Sequence, residues 1–201
     1  MSQPERKVPR ELGSAQRPAE GETVCGDAFL ILEEEERVTL ALADGLGHGT
    51  EAAKAAQVFL EEVRRHAALP LEQIMQEAHQ ALRPTRGAAA AILRIDRDPR
   101  APRKPLEAQF AGVGNIALAT ATQTPAAPIS LAGTLGARLR RVTTFRFPLA
   151  LGDLLVLHSD GIRSHFDARE LGQRSAQALA EELLRRYGRL EDDATCLVVR
   201  V

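Results

Sequence analysis

Residues 37–49 read RVTLALADGLGHG, and the division of this run decides the fold. Arg37–Ala43 mixes β-branched and aliphatic residues and reads as a strand. Its partner in a hairpin is Val24–Leu32, joined to it by the solvated Glu33–Glu36 run. Asp44–Gly49 is a turn punctuated by three glycines. Thr50 is a suitable N-cap, and Glu51 suits the first turn of a helix. Ala52–His66 then places Ala52, Ala55, Ala56, Phe59, Leu60 and Val63 at helical spacing, so one face is apolar. The run is therefore strand, tight turn, helix.

Outward from this unit the period changes twice. Pro70 starts a second helix that ends near Arg83, before Pro84. Ala88–Ile95, Leu106–Val113, Ile116–Thr122, Leu139–Phe147 and Asp153–His158 read as strands. Arg97–Pro105 is a loop, since three prolines exclude regular structure. Asp167–Arg186 reads as a helix with Leu171, Ala178, Leu179, Leu183 and Leu184 on its apolar side, and Ala194–Val201 as a closing strand. Residues 1–20 form an N-terminal arm able to contribute one edge strand, and residues 21–201 form one domain. Hairpin-like succession argues for antiparallel sheets. The predicted class is α+β: a four-layer α-β-β-α sandwich of two mostly antiparallel sheets, with helices on both outer faces.

Composition narrows the function. The chain has 201 residues, 26 Lys+Arg against 27 Asp+Glu, and a net charge of -1. Such a balance gives no support for nucleic-acid or membrane binding. No segment approaches the roughly 18 apolar residues of a membrane helix. The polar start, Met1–Arg10, has no signal-peptide core. Two cysteines, Cys25 and Cys196, make no disulfide framework. They read as buried thiols in a reducing cytoplasm, the expected location; a redox role for Cys25, two residues before Asp27, is the other reading. Arg97, Arg100, Arg103 and Lys104 read as a solvated loop or as a dock for an acidic partner. Arg138, Arg140 and Arg141 read as the exposed face of a strand.

Four acidic sites stand at predicted strand ends: Asp27, Asp44, Asp160 and the pair Asp192–Asp193. Asp before Gly after a strand is a common turn signal, so each alone reads as a turn. Together, on one rim, four carboxylates repel unless cations join them. Hard oxygen donors select Mg²⁺ or Mn²⁺ over Zn²⁺, and His48 and His158 have no ligand-spaced partners. Two such ions about 3.5–4 Å apart activate water against a phosphate monoester.

The ordered set Gly26–Asp27, ADGLGHG (43–49), GVGN (112–115), SDG (159–161) and DDAT (192–195) resembles the metal-dependent phosphatases of the protein phosphatase 2C superfamily. It most resembles their bacterial SpoIIE-type branch, over about residues 21–201. The short length and missing sensor region resemble the stand-alone stressosome members. The resemblance implies two Mn²⁺ or Mg²⁺ ions. Asp44 would bridge them, the Gly45 carbonyl would complete one sphere, and Asp160 and Asp192 would bind the other ion. Asp27 would act through water, and Asp193 would be a hydrogen-bonding neighbour. Three departures stand out. Glu22 occupies the place of the superfamily's phosphate-gripping Arg. Leu46 replaces the His that follows Asp-Gly in eukaryotic-type members, leaving His48 as a candidate proton donor or a solvent-exposed turn residue. Asn115 replaces an Asp found in many relatives, weakening any third-metal site.

The implied function is a phosphoserine/phosphothreonine protein phosphatase acting on a bacterial regulatory protein, an anti-sigma antagonist or stressosome component with a STAS-like domain. The alternatives are a catalytically silent phosphoprotein-binding scaffold and a hydrolase of small phosphate esters.

Overall fold

A computed structural model describes residues 10–97, 105–172 and 174–201. The chain runs β1 (Glu11–Arg17), β2 (Asp27–Glu33), β3 (Arg37–Gly45), α1 (Gly49–Arg65), α2 (Leu71–Ala81), β4 (Ala88–Asp96), β5 (Leu106–Val113), β6 (Ala117–Ala121), β7 (Phe145–Leu149), β8 (Leu154–His158), α3 (Ala176–Tyr187) and β9 (Ala194–Arg200). One sheet has the order β2-β3-β4-β5-β7 and the other β1-β9-β8-β6. Every neighbouring pair is antiparallel.

Alternation along the strands builds the layers. On β3 and β4, Ala41, Ala43, Ala88, Ala90 and Ile92 join Phe59, Ile74 and Met75 of α1 and α2 in one core. The opposite face, with Val38, Leu40, Leu42 and Leu93, meets Leu155, Leu157, Leu197 and Val199 of the other sheet. Val156, Cys196 and Val198 on that sheet's far side pack on Leu179, Ala180 and Leu183 of α3. Three cores between four layers give the α-β-β-α sandwich. Because both faces of β3, β4, β8 and β9 are covered, these strands read as continuous apolar runs.

The predicted edge strand in the arm is β1. Its free edge is closed by Gln177 of α3, which donates from Nε2 to the Ser14 carbonyl at 3.1 Å and accepts from the Ser14 N–H at 3.0 Å. One side-chain amide thus takes the place of a neighbouring strand.

Several boundaries differ from expectation. The first helix begins at Gly49 with His48 as its N-cap, which makes no side-chain cap bond. Gly47 and Gly49, both at positive φ, complete the turn before Thr50, which lies inside the helix. Strand β2 begins at Asp27 rather than Val24, and α2 ends at Ala81. Of the predicted strand Leu139–Phe147, only the end belongs to β7, which continues through Pro148. An edge strand tolerates Pro because one side needs no N–H. Arg138, Arg140 and Arg141 are exposed, but on irregular chain. The predicted helix Asp167–Arg186 is broken at Gly172 (φ 73°) into a 3₁₀ turn, Ala168–Leu171, and α3. The Ser175 hydroxyl restarts it by accepting from the Ala178 N–H at 3.3 Å. Arg100, Arg103 and Lys104 lie outside the described residues.

Candidate active site

The β2–β3 register sets Asp27 directly opposite Asp44. Asp160 follows β8, and Asp192 and Asp193 precede β9, so these three come from the other sheet. Glycine makes the close approaches possible. A Cβ on Gly45 would collide with the Ala52 carbonyl of α1, and one on Gly161 with the Asp193 carbonyl.

Hydrogen bonds tie the sheets together at this rim. The Ser159 hydroxyl donates to Asp27 Oδ2 at 2.7 Å and accepts from the Thr195 N–H at 3.0 Å. Gln16 Nε2 donates to the Asp27 carbonyl at 3.0 Å and to Thr195 Oγ1 at 3.1 Å. Asp27 Oδ1 is buried and has no hydrogen-bond partner among the described residues. Asn115, just past β5, donates its amide to Asp160 Oδ2 at 2.6 Å and, at 3.5 Å, to Asp44 Oδ2. A single amide nitrogen therefore reaches carboxylates from both sheets. Asp193 accepts from the Gly26 N–H at 2.8 Å and the Ala19 N–H at 3.0 Å. It pins the segment leading to β2, the neighbour role expected of it. Asp192 Oδ1 accepts the Asp193 N–H at 2.9 Å.

The electrostatics follow. Burial, joined by repulsion from Asp193 and Asp160, pushes Asp27 up to about 7, although Ser159 and Thr195 oppose the rise. Burial, then the charges of Asp27, Asp160 and Asp192, pushes Asp44 up to about 8. Burial and the Asp160 charge also raise Asp192. These carboxylates are costly as anions without a cation.

The donor set is all hard oxygen, one buried carboxylate oxygen is orphaned, and the acids resist ionising alone. Such a set fits a hard divalent cation. As placed, no three His, Cys, Asp or Glu side chains among the described residues converge on one ion; the Asn115 amide stands between Asp44 and Asp160.

The model of the Stage II sporulation protein E family (SpoIIE) matches residues 34–201. The chain belongs to the SpoIIE family. Among curated proteins, this SpoIIE-family chain is 28% identical over 153 residues to the phosphoserine phosphatase RsbX of Bacillus subtilis (strain 168), covering 73% of this chain and 74% of RsbX. A structure solved in work on the bacterial stressosome, described as a modular system adapted to control secondary messenger signalling, superposes with a TM-score of 0.88 at 34% identity. The match covers 96% of this chain and all of that one. The structure of RsbX in complex with magnesium gives 0.82 at 24% identity, over 95% and 94% of the two chains; that likeness speaks to fold. The family is of PP2C-type phosphatases, and the two-sheet sandwich is the fold it shares.

Of the residues predicted for the site, Asp27, Asp44, Asp160 and Asp192 stand at one rim of this SpoIIE-family sandwich, with Gly45 under α1. His48 lies on the adjoining turn, 76% exposed at its side chain, with Nδ1 2.8 Å from Glu22 Oε1. Glu22 and the candidate proton donor His48 thus meet in space. The Cys25 thiol is pushed up to about 12 by burial and by Asp27, and Cys196 to about 12 by burial. Cys25 is half-buried and Cys196 buried, and both environments disfavour the thiolate a redox role needs. Sequence reasoning missed Ser159, Thr195 and Gln16. The first two sit inside the SDG and DDAT motifs and could have been found there; Gln16 carried no signal.

Proposed function

We propose that this SpoIIE-family protein hydrolyses phosphoserine or phosphothreonine on a bacterial regulatory protein, releasing inorganic phosphate and the free hydroxyl. The observation that carries the reading is the meeting of carboxylates from two sheets, Asp44 and Asp160, on one amide nitrogen. Asp44, the Gly45 carbonyl, Asp160 and Asp192 would hold two Mn²⁺ or Mg²⁺ ions, with Asp27 behind them. Bound ions of this kind polarise a phosphoryl oxygen and make water a nucleophile at neutral pH.

The chain's own groups supply the rest. Ser159 and Thr195 orient Asp27, so one of its oxygens is committed and the other is open. Glu22 on Nδ1 of His48 fixes the imidazole and leaves Nε2 as the position from which a proton passes to the departing serine or threonine oxygen.

A protein substrate is favoured over a small ester by the surroundings. Val24, Leu46 and Leu190 are exposed at 38%, 43% and 60%, and each lies two or three residues from a site aspartate. Apolar groups set beside a polar site suit a protein surface. Similarity to RsbX and to a stressosome protein supports a phosphorylated regulatory partner, and we infer the STAS-domain type. The alternative is a silent phosphoprotein-binding scaffold. The test is incubation with Mn²⁺ and a phosphorylated STAS-domain protein, followed by intact-mass measurement. Loss of one phosphoryl group supports hydrolysis. Unchanged mass with stable complex formation supports the scaffold.

A further inference from the structure

A phosphate dianion approaching a rim of carboxylates binds better if the chain supplies a cation besides the ions. The ladder of β3 and β4 shows where one is. Asp44 pairs with Ala89 and Gly45 with Ala88. Beyond the strands, the Leu46 N–H donates to the Gly87 carbonyl at 2.9 Å. Arg86 therefore arrives alongside the turn that leaves Asp44. A Cβ on Gly47 would lie 2.8 Å from Arg86 Nη1, so the tip of this side chain rests over the Gly47 backbone.

The segment displaying Arg86 is fixed on both sides. Thr85 donates its N–H and hydroxyl to the Leu82 carbonyl at 2.9 and 2.7 Å. The Gly87 N–H donates to Thr85 Oγ1 at 3.0 Å. Ala88 exchanges both hydrogen bonds with Leu135. Yet the exposed Arg86 side chain makes no hydrogen bond or ion pair among the described residues. Two other cations near the aspartates are engaged. Arg17 donates to the carbonyls of Pro18 and Arg189, and the Arg189 charge acts on Asp192. Glu22, whose charge would repel a phosphate, is occupied by His48.

We propose that Arg86 is the phosphate-binding residue of this site, taking two non-bridging phosphoryl oxygens with its planar fork. Arg presents paired donors that match phosphate geometry, and Lys does not. The inference rests on the phosphatase reading, and phosphate binding separates the two.

The experiment compares wild type, Arg86→Ala, Arg86→Lys and the nearby Arg83→Ala, all with Mn²⁺. Two readouts are used: inorganic phosphate binding by calorimetry, and KM and kcat on a phosphoserine peptide. Arg86→Ala should weaken phosphate binding and raise KM about 10- to 100-fold. Arg86→Lys should fall between, and Arg83→Ala should match wild type. Melting temperature and Mn²⁺ affinity should be unchanged. If wild type binds phosphate but does not hydrolyse the peptide, the phosphatase reading fails, and Arg86 stands or falls by the loss of binding in Arg86→Ala. Phosphate binding within twofold of wild type in Arg86→Ala, or none by wild type, overturns the proposal.

Discussion

The two halves of the rim are built differently. Asp27 and Asp44 face each other across a strand pair in the five-stranded sheet, and both are pushed towards neutrality, to about 7 and about 8. Asp160 is exposed and Asp192 half-exposed, each on a turn at the end of the four-stranded sheet. The first pair is held by the fold; the second can adjust to what it binds. A site split this way stores its electrostatic cost in the rigid half. A bound cation would relieve the repulsion in the buried half.

The comparison breaks first on activity. Asp44→Asn and Asp160→Asn, one from each half, should both reduce metal-dependent hydrolysis on the order of 10³-fold. Loss in only one would mean that the halves do not work on the same phosphate. Steady-state rates on a phosphoserine peptide decide it.

Stability should then separate the halves. A carboxylate whose folded pKa is raised stabilises the fold fully below its unfolded pKa, and that contribution is lost as pH rises through the folded value. For Asp27 and Asp44 the window runs from about 4 to about 8. In EDTA, wild type should melt lower at pH 9 than at pH 5. Asp44→Asn should already exceed it slightly at pH 5, about one unit into the window, and by several degrees more at pH 9, since about 1 kcal/mol is worth roughly 2–4 °C at this size. Asp160→Asn should gain less, because solvent already screens Asp160 and its bond from Asn115 would pass from a charged to a neutral acceptor. Equal gains from both variants would contradict the division. The smallest effect expected is that of Cys25→Ser: turnover within about twofold, because the thiol stays protonated. A larger loss would place that thiol in the chemistry.

Much of this was legible in sequence, for identifiable reasons. The strand, turn and helix of 37–65 announced themselves because both faces of β3 are buried and the glycines lie where the chain must turn. The aspartates were visible because Asp44 and Asp160 close apolar strands, while Asp27 and Asp192 stand where strands begin. What stayed hidden depends on contacts between distant segments. The pairing of Glu22 with His48 spans 26 residues. Gln16 meets Thr195 across nearly the whole chain. Arg86 comes to Gly47 only through the β3–β4 register. The source of the raised carboxylates was misjudged in emphasis: mutual repulsion was expected to lead, and burial leads instead, because depth within the sandwich is not written in local spacing. The break at Gly172 was missed since the apolar period continues on both sides of it.

The most direct test of the shared-cation claim is Mn²⁺ calorimetry on wild type, Asp44→Asn and Asp160→Asn at pH 7, in buffers of different ionisation enthalpy. Wild type should bind Mn²⁺ with release of protons, because Asp27 and Asp44 are partly protonated until the ion arrives. Both variants should bind more weakly, and Asp44→Asn should release fewer protons than Asp160→Asn. Mn²⁺ binding that is unchanged by either substitution, or that releases no proton from wild type, would contradict the account.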